Sequence, residues 1–82
     1  MIIVDVFVPA VDKTYNFSLN ESVEIESVIM EVIEMIEQKE RVVIVGNRNE
    51  LFFFDKERKH QLPKSNTLNE CFIKTGDTLI LA

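Results

Sequence analysis

The feature that most limits the possible folds of this chain is a single helical repeat, which runs from residue 23 to about residue 39. Apolar residues recur there at spacings of three and four, and glutamates fall largely between them. The apolar positions are Ile25, Val28, Ile29, Val32, Ile33 and Ile36. Asn20 and Ser22 are both candidates for the N-cap. Because the sequence lacks a second full helix, this helix must bury its apolar face against a β-sheet.

Two strand patterns precede the helix. Residues 2–8 are apolar except for Asp5 and rich in β-branched side chains, and residues 14–19 alternate between polar and apolar. The two runs are separated only by residues 9–13, so they are close enough to pair as an antiparallel hairpin. The second strand is predicted to turn three side chains to the core, namely Tyr15, Phe17 and Leu19.

Three shorter strands are predicted after the helix, at residues 51–54, 59–62 and 78–81. Residues 42–45 are ambiguous, because this apolar run could extend the helix, form a short strand or pack as a loop. Residues 67–71 fit one helical or 3₁₀ turn. The hydrophobic periodicity therefore predicts an α+β fold, in which a mixed sheet of four to five strands packs on one helix in a single domain of residues 1–82. If the last strand lies in the middle of the sheet beside the first, the arrangement is a β-grasp.

The size and composition of the chain argue against an enzyme and against a bound cofactor. A chain of 82 residues supports one small core but not a deep substrate cleft as well. Cys71 is the only cysteine, so we expect no internal disulfide and no Cys/His metal site. Cys71 and His60 are the only candidates for a nucleophile and its base, but a free Cys in an apolar segment more often behaves as a small buried hydrophobe.

Charge and targeting signals bear on the partner and the compartment. The net charge of -5 is a poor match for nucleic acid, and residues 21–40 carry seven Glu against one Lys. Residues 41–64 instead carry six Lys or Arg against three acidic residues, which predicts an acidic and a weakly basic side. The sequence has neither a signal peptide nor an apolar run of the ~20 residues that span a bilayer. We therefore expect a cytoplasmic protein without membrane insertion.

The outer face of the sheet, opposite the helix, is the predicted binding surface. If Ile2, Val4, Val6 and Val8 point inward, their neighbours on the strand point outward, and so does Ile80. One helix cannot cover all of Phe52, Phe53 and Phe54, so at least one of them is expected on that face. The predicted protein-binding patch comprises Ile3, Phe7, Phe52 or Phe54, and Ile80, bordered by His60, Lys56 and Lys59. Such a patch marks a site for a protein partner or for a symmetric homodimer, unless residues 42–45 or the long loop cover it.

The last stretch of the chain carries a family resemblance. Residues 67–81, T-L-N-E-C-F-I-K-T-G-D-T-L-I-L, resemble the pattern that closes ubiquitin-like domains. With K-T-Y-N-F-S-L at residues 13–19 and the acidic helix, the chain is most similar to the YukD/EsaB family of bacterial ubiquitin-like proteins. The resemblance implies a β-grasp fold and a non-enzymatic, cytosolic accessory or regulatory role in type VII secretion. The implied partners are cytosolic domains of the secretion apparatus.

Two other functions remain as alternatives. Conjugated ubiquitin-like modifiers and sulfur carriers use a flexible tail that ends in Gly-Gly, whereas the sequence stops at Leu81-Ala82. We therefore expect neither conjugation nor thiocarboxylate chemistry, and a sulfur carrier is the weaker alternative. The stronger one is a general ubiquitin-like adaptor or homodimerisation module with no connection to secretion.

Overall fold

The computed structural model describes residues 1–44 and 46–82. In this part of the chain, five strands and one α-helix follow one another in the predicted order, with a 3₁₀ turn at Arg48–Glu50. The elements are β1 (Ile2–Val8), β2 (Lys13–Leu19), α1 (Ile25–Glu40), β3 (Phe53–Asp55), β4 (His60–Gln61) and β5 (Thr78–Leu81). No helix among these residues has the length and apolar character needed to cross a bilayer.

The five strands form one mixed sheet with the order β2-β1-β5-β3-β4. β1 and β5 are parallel, and the other neighbouring strands are antiparallel. The last strand lies in the middle of the sheet beside the first, which the residue pattern left open and the family resemblance implied. The result is an α+β fold with the β-grasp arrangement.

The core lies between the inner face of this sheet and α1. β1 contributes Val4, Val6 and Val8, which are all buried, and α1 contributes the six apolar residues predicted from its repeat. In β2, Tyr15 and Leu19 are buried and Phe17 is partly buried against the core. These side chains face inward because inward positions recur every second residue on a strand and every three or four on a helix.

α1 begins two residues later than predicted, and its N-terminus is capped differently from either candidate. The residue before the helix is Glu24, and no side chain caps it. Instead, the backbone N–H of Ile25 donates to the carbonyl of Asn66 at 2.8 Å, and that of Glu26 donates to the carbonyl of Lys64 at 3.1 Å. The first N–H groups of a helix need acceptors from outside the helix, and here a distant loop supplies them. Asn20 accepts the N–H of Ser22 in a local turn instead.

The segment after the helix settles part of the ambiguity at residues 42–45. α1 ends at Glu40, with Arg41 in the left-handed conformation at φ 55°, so the helix does not extend further. Residues 42–44 form neither helix nor strand, which leaves the loop alternative for them, and Val45 lies outside the described residues. Ile44 is buried, and its N–H donates to Glu37 Oε2 at 2.8 Å. The same carboxylate holds Arg48, whose Nη2 lies 2.6 Å from Oε1.

The strands after α1 are shorter than predicted. β3 starts at Phe53 rather than at residue 51, and β4 contains only two residues. The turn at residues 67–70 is closed by Thr67 and Glu70, since each side chain accepts the other residue's backbone N–H, at 3.1 and 2.9 Å. Gly76 has a φ of 96°, as its place in a tight turn requires.

Candidate protein-binding surface

The register of the strands places an apolar row across the middle of the outer face. Phe7 of β1 is paired with Ile80 of β5, and Ile80 is paired with Phe54 of β3. Residues directly opposite one another on neighbouring strands have their side chains on the same face. Phe7, Ile80 and Phe54 therefore lie side by side, and all three are half-buried although the one helix of the described residues lies on the opposite face. We call these three residues the outer row.

Polar residues border the outer row on the two edge strands, β2 and β4. Polar residues also occupy the next outward-facing positions of β1 and β5. Thr14 is paired with Phe7 at the β2 end, and Gln61 with Phe54 at the β4 end. On the neighbouring line, Asp5 is paired with Thr78 and accepts a hydrogen bond from Asn16 Nδ2 at 3.0 Å. The outer row is thus an apolar strip between polar side chains.

A surface cavity of about 490 Å³ opens over one side of this row. Its lining combines apolar side chains of the outer row with a carboxylate, hydroxyls and an ammonium group: Asp5, Phe7, Thr14, Lys56, Thr78 and Ile80. An apolar floor with a few convergent polar groups is the usual chemistry of a recognition site. A negatively charged carboxylate and a positively charged ammonium group at one cavity allow a partner to be oriented by charge.

The two other predicted apolar residues lie apart from this row. Ile3 faces outward and is 49% exposed, but Asp5 lies between it and Phe7 along β1. Phe52 flanks β5 through two backbone hydrogen bonds with Ala82. The ammonium group of Lys64 lies 4.2 Å from the centroid of the Phe52 ring and partly occupies that face.

In the segment of three phenylalanines at residues 52–54, the middle ring is buried and the two flanking rings lie on the outer face. Phe53 is fully buried among the core residues, whereas Phe52 and Phe54 are half-buried on the other face. The alternation of side chains along an extended strand requires this result once one ring is in the core.

The structure places His60 differently from the prediction. His60 is paired with Asp55, which is buried, whereas Gln61 is paired with Phe54 of the outer row. The register therefore puts Gln61, and not His60, on the outer face. The turn before β4 sets this register, and in it Lys59 adopts a φ of 57°, which the sequence pattern did not indicate.

Residues 42–44 do not cover the outer row. They line a separate cavity of about 270 Å³ together with Ala10 and Val11. Val42 and Val43 remain exposed there.

Among the described residues, no hydrogen bond joins Cys71 to His60, as a nucleophile and its base would require. Cys71 lies half-buried in the turn before β5, and His60 is exposed in β4. Burial raises the pKa of the Cys71 thiol, and the neighbour that favours the thiolate is Asn66 rather than His60. A thiol with a raised pKa is a weak nucleophile at neutral pH. Among residues 1–44 and 46–82, no group of three His, Cys, Asp or Glu side chains could hold a metal ion.

The arrangement of these elements matches solved structures of ubiquitin-like domains. One is the N-terminal ubiquitin-like domain of the 4931431F19Rik protein, solved in solution, with a TM-score of 0.74 and 17% identity over 99% of this chain and 72% of that chain. Another is a de novo designed protein based on ubiquitin, with a TM-score of 0.67 and 20% identity over 99% of this chain and 85% of that chain. The chain has the ubiquitin-like fold. No protein-family model and no curated protein matches its sequence.

Proposed function

We propose that this ubiquitin-like protein acts by binding another protein through the outer row, without catalysing a reaction. The observation that carries the proposal is the register that aligns Phe7, Ile80 and Phe54 on the uncovered face of the sheet. A single half-buried apolar residue is ordinary on a protein surface, but three in a row beside a cavity are typical of an interaction site.

The charges beside the row restrict the orientation of the partner. Asp5 and Lys56 both line the cavity. A partner would place an apolar side chain on Phe7 and Ile80, a donor near Asp5 and an acceptor near Lys56. Because rim charges change specificity and association rate more than affinity, the apolar residues are expected to dominate binding.

The proposed partner is a cytosolic domain of a type VII secretion apparatus. This part of the proposal depends on the resemblance of residues 67–81 and of the N-terminal hairpin to the YukD/EsaB family. The resemblance implies a cytoplasmic protein that assists or regulates secretion.

The experiment is affinity capture of the tagged protein from its native cytosol, followed by mass spectrometry. Phe7→Asp is the test variant, because it puts a charge into the outer row while leaving the core untouched. Met30→Asp is the matched control, because Met30 is 37% exposed on the helix, on the other side of the sheet. Circular dichroism must show that both variants are folded.

Each outcome decides one part of the proposal. Secretion ATPase or membrane-component domains captured by wild type and Met30→Asp, but not by Phe7→Asp, would support both the outer row and the secretion role. A different partner with the same dependence on Phe7 would support the binding surface and refute the secretion role. Self-association lost in Phe7→Asp would identify a homodimerisation module. Equal capture by all three proteins would refute the outer row as the site.

A further inference from the structure

The turn that precedes β5 ends in a Schellman motif, a common way to stop a helical turn. The N–H of Ile73 donates to the carbonyl of Leu68 at 3.0 Å, and the N–H of Phe72 donates to that of Asn69 at 3.1 Å. Leu68 and Ile73 are both buried, so the apolar contact that accompanies the motif is present as well. These two bonds place Phe72 at the position where the chain must turn left-handed.

Phe72 is an unusual residue for that position. Its φ is 60°, in the left-handed region, where the motif ordinarily has Gly or sometimes Asn. A bulky side chain in this conformation is a genuine outlier, because its Cβ crowds the backbone. Burial of the ring does not offset this backbone strain, since Phe72 is 68% exposed. Folding alone therefore does not account for an aromatic residue here, and strained residues of this kind occur at ligand-binding sites.

An arginine of the neighbouring hairpin is held at the backbone just before Phe72. Arg58 Nη1 donates to the carbonyl of Cys71, the residue before Phe72, at 3.2 Å. Its Nε lies 3.7 Å from the carboxylate of Asp55, which is buried, yet the Arg58 side chain is 49% exposed. The guanidinium group thus has a fixed place and still has N–H donors for a ligand.

The turn that carries Arg58 has a net positive charge, although the exposed Glu70 lies two residues before Phe72. Lys56 and Lys59 are exposed on the same turn as Arg58, and Glu57 is the one acidic residue between them. Aromatic residues and arginine are also the side chains most enriched at the energetic centres of protein interfaces.

We propose that Phe72 and Arg58 form a second protein-binding site, which takes an acidic segment with an apolar side chain. The apolar side chain packs on the exposed Phe72 ring, and a carboxylate of the segment accepts hydrogen bonds from Arg58. Positive charge on the turn at residues 56–59 favours an acidic partner over a basic one. Phe72 is separate from the outer row, because it lies in the connection between β4 and β5 and not on the sheet, although Lys56 also lines the cavity beside that row.

The test uses a displayed library of random peptides of about twelve residues, selected on the wild-type protein and depleted on Phe72→Asn. Asn keeps the left-handed turn and removes the ring, so this variant is expected to be more stable than wild type, with a Tm higher by about 4–8 °C. If Phe72→Asn folds but no longer binds the peptides, the ring acts in recognition and not in folding. Phe7→Asp serves as the control for the outer row.

The selected peptides should combine an apolar residue with Asp or Glu, and they should bind Phe72→Asn at least about 30-fold more weakly than wild type. Arg58→Gln should weaken the same peptides and reduce the dependence of binding on salt concentration. Phe7→Asp should bind them as wild type does. Peptides without acidic residues, or a selection that yields no binder dependent on Phe72, would overturn the proposal. A lower Tm for Phe72→Asn would also overturn it, because Phe72 would then have a structural role.

Discussion

Two neighbouring phenylalanines offer a direct test of how the sheet divides core from surface. Phe53→Ala and Phe54→Ala remove the same atoms from adjacent positions of β3, but Phe53 is fully buried and Phe54 is half-buried on the outer face. Removal of a buried Phe side chain costs about 3–5 kcal/mol, from lost transfer free energy and the cavity left behind. Phe54 keeps part of its ring in water, so Phe54→Ala should cost less, about 1–2 kcal/mol.

The difference is large relative to the stability of the domain. A chain of this length has a free energy of unfolding of about 4–12 kcal/mol. With an m-value of ~1 kcal/mol/M in urea, Phe53→Ala should lower the denaturation midpoint by about 3 M or more, or leave the protein unfolded without urea. Phe54→Ala should lower it by about 1–2 M.

Urea denaturation followed by far-ultraviolet circular dichroism measures both variants against wild type. The m-values should agree among the folded proteins, because the same surface is exposed on unfolding. Equal losses of stability for the two variants, or a larger loss for Phe54→Ala, would show that the phase of β3 is incorrect.

Two further predictions concern the helix. Val28→Asp should unfold the protein, because Val28 is buried under the sheet and nothing there would pair with the carboxylate; a cooperative thermal transition in this variant would contradict the position of α1. Glu37→Gln should change the pH dependence of stability. The backbone N–H of Ile44 and then Arg48 lower the pKa of Glu37 below its ordinary 4.5, so its stabilising contribution is present above that pH and lost as the pH falls through the lowered pKa. Urea midpoints should therefore differ between wild type and Glu37→Gln at pH 7 and converge towards pH 3, whereas a difference that persists at pH 3 would exclude this linkage.

The local patterns of the sequence predict most of the fold correctly. The inward residues of β1 and of α1 follow from the spacing of apolar residues. Periodicity along a strand carries no information about its neighbours, so the correct β-grasp strand order followed from the family resemblance and not from the pattern of apolar residues. That order depends on hydrogen bonds between segments that are distant in the sequence, such as β1 and β5.

The side chains predicted to share the outer face do so only in part, and their role in binding stays a prediction. Phe7, Ile80 and Phe54 do lie side by side, whereas Ile3 is separated from them by Asp5 and His60 is paired with a buried residue. A two-residue strand such as β4 is too short to show an alternation, so its phase depends on the turn before it. Because β4 is so short, the sequence pattern does not indicate that Gln61 lies on the outer face.

The sequence by itself determined which side chains enter the core, because the periods of helix and strand are local properties of the chain. It also determined that one helix follows the first hairpin and which face of the sheet is apolar, but it left open whether a loop covers that face. Only the tertiary structure decided that the first N–H groups of α1 bond to the carbonyls of Lys64 and Asn66, and that Arg58 reaches the carbonyl beside Phe72. These contacts join residues from different elements, and such pairings are set by the packing of the whole chain rather than by any local pattern.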